Sequence, residues 1–111
     1  MTDSIQPIIR KARELASSIR EHEITLRYNE TLARISNDRQ AQQLYARLIA
    51  MGKELNDRLS AGGAVERQES SEYEMMQKEL EQNTLVKEYI QNQKEYLNLL
   101  NRVIEKIKNP S

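Results

Sequence analysis

The segment TLVKEYIQNQKEYLNLLNRVIEKI, residues 84–107, carries apolar side chains at Val86, Tyr89, Ile90, Tyr96, Leu97, Leu100, Val103, Ile104 and Ile107, close to a seven-residue period. That spacing keeps one stripe of an α-helix turned toward neighbouring helices, and it does not fit a strand, whose faces alternate every two residues. Val86, Gln93, Leu100 and Ile107 share one heptad position, while Tyr89 or Ile90, Tyr96 or Leu97, and Val103 or Ile104 supply the other. The band is wider than a strict coiled-coil seam, as expected when one helix touches two neighbours. Gln93, the polar member of the seam, would fix register at some cost in stability. A dimer or partner interface is therefore expected to draw on Val86, Tyr89, Tyr96, Leu100, Val103 and Ile107.

Upstream, the same logic yields four more helices and makes the chain all-α, a single helical domain over residues 1–111. The first spans about 5–19, where Ile5, Ile8, Ile9, Ala12, Leu15, Ala16 and Ile19 recur at three- and four-residue steps. Ser4 suits its N-cap, and Pro7 falls in the first turn, where its missing N–H is harmless. The stripe loses phase around Arg20 to Glu23. A second helix, about 23–36, then carries Ile24, Tyr28, Leu32 and Ile35, with Leu26 off the line and half exposed.

Asn37 and Gln40 resemble a capping box opening a third helix, about 38–61, along which Ala41, Leu44, Tyr45, Leu48, Met51, Leu55 and Leu59 form a long seam. Gly62 and Gly63 end it, since Gly readily takes the left-handed position that follows a helix. Residues 62–70 read as a loop. Ser71 with Glu74 is a second capping-box signature, opening a helix over about 71–82 with Tyr73, Met76 and Leu80. Asn83 or Thr84 caps the last helix, about 84–108, and Asn109 with Pro110 stops it.

Composition narrows the class of function. No Phe or Trp is present, so the core must be aliphatic and thin. A small domain buries a modest share of its surface, while ordering each residue costs roughly 1–2 kcal/mol of backbone entropy. A second copy of the chain would supply the missing burial. The 17 basic and 17 acidic residues cancel, which leaves no global field to draw nucleic acid or an anionic membrane, so neither is expected as a partner. Locally the charges separate: Arg10, Lys11, Arg13 and Arg20 make the first helix basic, and Glu66, Glu69, Glu72, Glu74, Glu79 and Glu81 make a later stretch acidic. Most such charges form solvated faces paired along the helix; the remainder could serve a docking surface. The absence of cysteine removes disulfides, thiolate metal sites and thiol nucleophiles, and fits a reducing cytosol. No run of about 18 apolar residues exists, and Met1 to Arg10 lacks the apolar core of a signal peptide.

Groups able to do chemistry are few and poorly placed. His22 is the sole histidine, set between Glu21 and Glu23 at a helix junction without the His or Cys company of a metal site, so it reads as an exposed junction residue. Glu72 with Glu79, and Glu81 with Glu88, lie on neighbouring turns, yet helical di-metal sites add a Glu-x-x-His step that His22 does not provide. The five tyrosines, Tyr28, Tyr45, Tyr73, Tyr89 and Tyr96, sit on or beside apolar stripes and suit packing with the hydroxyl at the edge better than stacking on bases. Met51, Met75 and Met76 fit core gaps better than an adaptable groove. Gly62 and Gly63 follow no strand and precede no Gly-Lys-Ser or Gly-Lys-Thr, so they are loop glycines. No catalytic residue, metal ligand or cofactor is expected.

The early ARELASSI, the RYNETLARISNDRQAQQLYARLIAMGKEL stretch and the late LEQNTLVKEYIQNQKEYLNLLNRVIEKI resemble the YlbF/YmcA family of small bacterial helical proteins, including the related YheA branch. The likeness spans about Ile5 to Lys108, at positions such as Tyr28, Asn37, Leu44, Leu55, Asn83, Tyr89 and Leu100. It implies a spectrin-like antiparallel bundle forming homodimers, with exchange of segments between protomers left open. By the same resemblance, members of the competence-regulator branch are non-enzymatic partners in a small cytosolic complex. They affect competence, biofilm formation and sporulation, and modulate messenger-RNA processing through ribonuclease Y. The cysteines associated with an iron–sulfur cluster in that branch have no counterpart here, so cluster binding does not carry over.

The expected function is thus a cytosolic regulatory adaptor, not an enzyme, working through helix faces. The alternative is a chaperone-like helical hairpin that holds client polypeptides; RNA binding through the basic first helix is a third reading.

Overall fold

The computed structural model describes residues 4–62 and 67–110, with side chains from 71 onward in the second stretch. Five helices occur among them and no strand: α1 (Gln6–Glu21), α2 (Glu23–Ser36), α3 (Arg39–Ser60), α4 (Arg67–Gln82) and α5 (Thr84–Lys108). The all-α reading holds, and the boundaries of α2 and α5 agree with the sequence spacing.

The differences lie at the caps. α1 starts after Ile5 rather than Ser4, with no side-chain cap, although Pro7 sits in the first turn as expected. Asp38, not Asn37, caps α3, its carboxylate accepting from the Ala41 N–H at 3.0 Å. Asn37 instead closes α2, its Nδ2 donating to the Ala33 carbonyl at 3.2 Å, and Gln42 Nε2 donates to the Ile35 and Ser36 carbonyls. Two adjacent polar side chains each can cap a terminus, and the geometry of the turn assigns one to each helix. α4 begins at Arg67, so Ser71 lies inside it and residues 67–70 of the expected loop are helical, while residues 63–66 of that loop lie outside the described residues. Gly62 takes φ of 81°, the left-handed conformation that ends α3. Asn83 caps α5 as its side chain promised, Oδ1 accepting from the Val86 N–H at 3.1 Å.

The helices gather into two compact units. Thr31–Gln91 holds the end of α2, the α3–α4 pair and the start of α5. Here lies the apolar core: Ile35, Ala41, Leu44, Val86 and Tyr89, with Thr31 buried among the polar residues. Burying each aliphatic side chain of this size is worth roughly 1.5–3 kcal/mol, which makes this unit the main source of packing stability. Tyr45 meets Tyr89 edge to face, centroids 5.1 Å apart at 81°. Arg47 reaches Glu79 at 2.7 Å, tying α3 to α4, and Arg34 reaches Glu88 at 3.1 Å, tying α2 to α5. Both pairs are about half exposed, so each contributes at most about 1 kcal/mol.

The other unit, Met1–Glu30 with Asn92–Ser111, holds α1, the start of α2 and the remainder of α5. Its centre is aromatic and polar. Tyr28 and Tyr96 stack with centroids 4.7 Å apart, Asn92 Nδ2 donates to the Arg27 carbonyl at 3.4 Å, and Thr25 is 3% exposed. No described residue of α1 is buried.

Candidate interaction surface

α1 folds because its apolar residues recur on one face and Pro7 presets its first turn, yet that face meets little of its own chain. Ile8 is 68% exposed, and Ile5 and Leu15 are exposed as well. Apolar residues clustered on one exposed helix face, rather than scattered singly, make that face the candidate interaction surface. Lys11, Arg13 and Arg20 fall about 100° to either side of the stripe on a 3.6-residue wheel, and Glu14 and Glu21 fall opposite it. Lys11 is engaged with Glu14 at 3.5 Å.

The second half of α5, in the same unit, also carries exposed apolar residues. Leu97, Ile104 and Ile107 are exposed, Ile107 at 66%. Where α1 and α5 face each other they leave an open groove of about 760 Å³, floored by Leu15, Leu99, Val103 and Ile107 and edged by Arg102 and Lys106. Glu105 also reaches the edge, and His22 stands at one end. His22 is an exposed junction residue, as read from its neighbours. It ends α1, and its Nδ1 accepts from the Ile24 N–H at 3.1 Å, which caps the first turn of α2. That cap explains the phase slip between the first two stripes.

The six residues expected at an interface are divided by the fold. Val86 is fully buried and Tyr89 nearly so, both in the core of the Thr31–Gln91 unit. Tyr96 is occupied against Tyr28. Leu100 and Val103 are half-buried and Ile107 is exposed. The structure brings Val103 and Ile107 to one groove with Leu15 of α1, a residue that the periodicity of α5 alone did not point to, whereas Leu100 is not among the residues that line it. The signal was present in Ile5, Ile8 and Leu15, but a stripe does not announce whether its own chain will cover it. Among the described residues, no helix is long and apolar enough to cross a membrane, and no group of three or more His, Cys, Asp or Glu could hold a metal ion.

The described helices define a class, small all-α proteins in which a compact core is accompanied by an exposed apolar and cationic helix surface. More particularly, the chain belongs to the YlbF/YmcA family, described as control of competence regulator ComK, whose model matches residues 8–110. Membership makes it one of a regulatory family. No curated protein matches the chain.

Proposed function

We propose that this chain is a non-enzymatic regulatory adaptor that acts in the cytosol through protein–protein contacts, one of them with a second copy of itself, in the control of competence. The observation that carries this reading is the exposed apolar face of α1 together with the groove that Leu15 shares with Leu99, Val103 and Ile107 of α5. Membership of a family described as control of competence regulator ComK supports the choice of process. A ribonuclease Y-associated complex, with its link to messenger-RNA processing and biofilm formation, is the partner to look for first, and the missing cysteines mean that any such role runs without an iron–sulfur cluster held by this chain.

The test joins oligomeric state to partner capture. Leu100→Asp places a carboxylate in the half-buried part of the surface, where desolvating it without a partner costs several-fold in affinity at least. Light scattering should show a lower oligomer mass while circular dichroism keeps the helices, and affinity capture from the host should lose the specific partners held by the unchanged chain. A folded Leu100→Asp variant with unchanged mass and unchanged partners would overturn the adaptor reading of this surface. Suppression of aggregation of unrelated unfolded clients, with no specific partner captured, would favour the chaperone-like hairpin instead.

A further inference from the structure

The groove between α1 and α5 pairs an apolar floor with a charged edge, and the helical repeat of α5 fixes which charges lie closest to the floor. Leu99, Val103 and Ile107 are four residues apart, so they form one row about 12 Å long, and Leu15 of α1 completes the floor. Arg102 is three residues from Leu99 and Lys106 three from Val103, which sets each cation about 60° round the helix from a floor residue. Glu105 is two residues from both Val103 and Ile107, about 160° away, and so stands beyond the cations. Among the described residues neither Arg102 nor Lys106 makes an ion pair or a hydrogen bond, whereas Arg34, Arg47 and Arg58 each hold a glutamate. Two unpaired like charges one turn apart weaken a helix slightly, and an anionic group laid along this edge relieves that repulsion.

We infer that this groove takes an acidic amphipathic helix of a different protein, its aliphatic side chains on the floor and its carboxylates against Arg102 and Lys106. This rests on the adaptor reading proposed above and names the partner chemistry of its groove. The mode of docking follows from what the groove offers. Addition of a strand needs a sheet edge, and no strand occurs among the described residues. A proline-rich segment needs aromatic walls, and no aromatic side chain lines this groove. A trough between two helices accepts a third helix, and a floor of about 12 Å matches two turns with apolar residues at three- and four-residue steps. Charge then selects among helices: a basic one, or the groove of a second copy, would set like charges against Arg102 and Lys106. The acidic α4 of a second copy is not the occupant either, because it packs on α3 with Met76 and Leu80 of its apolar stripe half-buried.

Two fluorescein-labelled, hydrocarbon-stapled helical peptides with the same leucine stripe, one flanked by glutamates and the other by lysines, test it on the full chain. Fluorescence anisotropy should show the acidic peptide binding roughly tenfold or more tightly than the basic one. Amide shifts in the NMR spectrum of the chain should then change around Leu15, Leu99, Val103 and Ile107. Arg102→Glu with Lys106→Glu should invert the preference; both side chains are exposed, so the fold should tolerate the change. Binding of neither peptide, equal binding of both, or an acidic preference that survives the double reversal would overturn the inference. So would displacement of the acidic peptide as the concentration of the chain itself rises, which would put a second copy in the groove. A folded Leu100→Asp chain with unchanged mass and partners speaks against the adaptor reading and not against the peptide result, so the two failures are told apart.

Discussion

Tyr28 on α2 and Tyr96 on α5 lie face to face, centroids 4.7 Å apart and planes 7° from parallel. The unit's described side chains include no buried aliphatic residue, so this pair contributes to its packing in place of an aliphatic core. Aromatic pairs contribute about 0.5–1.5 kcal/mol beyond the area they bury. A double-mutant cycle with Tyr28→Leu and Tyr96→Leu, followed by urea unfolding, should return a coupling energy in that range. A coupling near zero would mean that the two rings merely share a neighbourhood.

Leu44 and Ile8 are both aliphatic members of helix stripes, but the first is buried and the second is 68% exposed. Leu44→Ala should lower the stability of the chain by roughly 2–4 kcal/mol through lost burial and the cavity left behind. Ile8→Ala should change unfolding of the isolated chain by under about 0.5 kcal/mol and should instead weaken self-association, read as a shifted dissociation midpoint in sedimentation. The two effects separate a core position from an interface position on the same criterion of sequence.

Two glycines make opposite demands. Gly52 sits inside α3, and a Cβ added there would meet no atom within 4 Å. Gly52→Ala should therefore raise thermal stability by about 0.5–1 kcal/mol, by limiting the unfolded chain and favouring the helix. Gly62 has φ of 81°, where an alanine is strained, so Gly62→Ala should cost about 1 kcal/mol or more despite the open space around it. Thermal denaturation of both variants side by side checks the sign of each.

Thr25 is buried with its Oγ1 unpaired. A hydroxyl desolvated without a partner costs on the order of 1–3 kcal/mol, and Thr25→Val keeps the shape while removing the polar atom. The substitution should stabilise the chain, by about 1 kcal/mol, measured by urea unfolding. A loss of stability would show that the hydroxyl has a bonding partner in solution.

The helices were readable because helix formation is local. Three- and four-residue spacing in α1, α2 and α3, the heptad of α5 and the terminators Gly62 and Pro110 involve residues close together in the chain, and four of the five helices begin and end within two residues of where they are expected. The cap errors came from neighbours of equal chemistry, Asn37 beside Asp38, whose roles depend on the direction of the turn. α4 ran earlier than its capping-box signature because Ser71 and Glu74 are equally at home inside a helix.

The candidate surface was only half readable. Val86, Tyr89, Leu100 and Ile107 repeat along one stripe, and nothing in the repeat distinguishes the first two, which the chain buries for itself, from the last two, which it leaves available. The sequence alone determined the all-helical fold, the lack of cysteine chemistry and the separation of basic α1 from acidic α4, since each of these follows from composition or from spacing within one helix. Only the tertiary structure decided that the core gathers around Ala41, Leu44 and Val86 while α1 stays uncovered. Burial depends on which distant segments meet, and periodicity within a single helix carries no information about its neighbours.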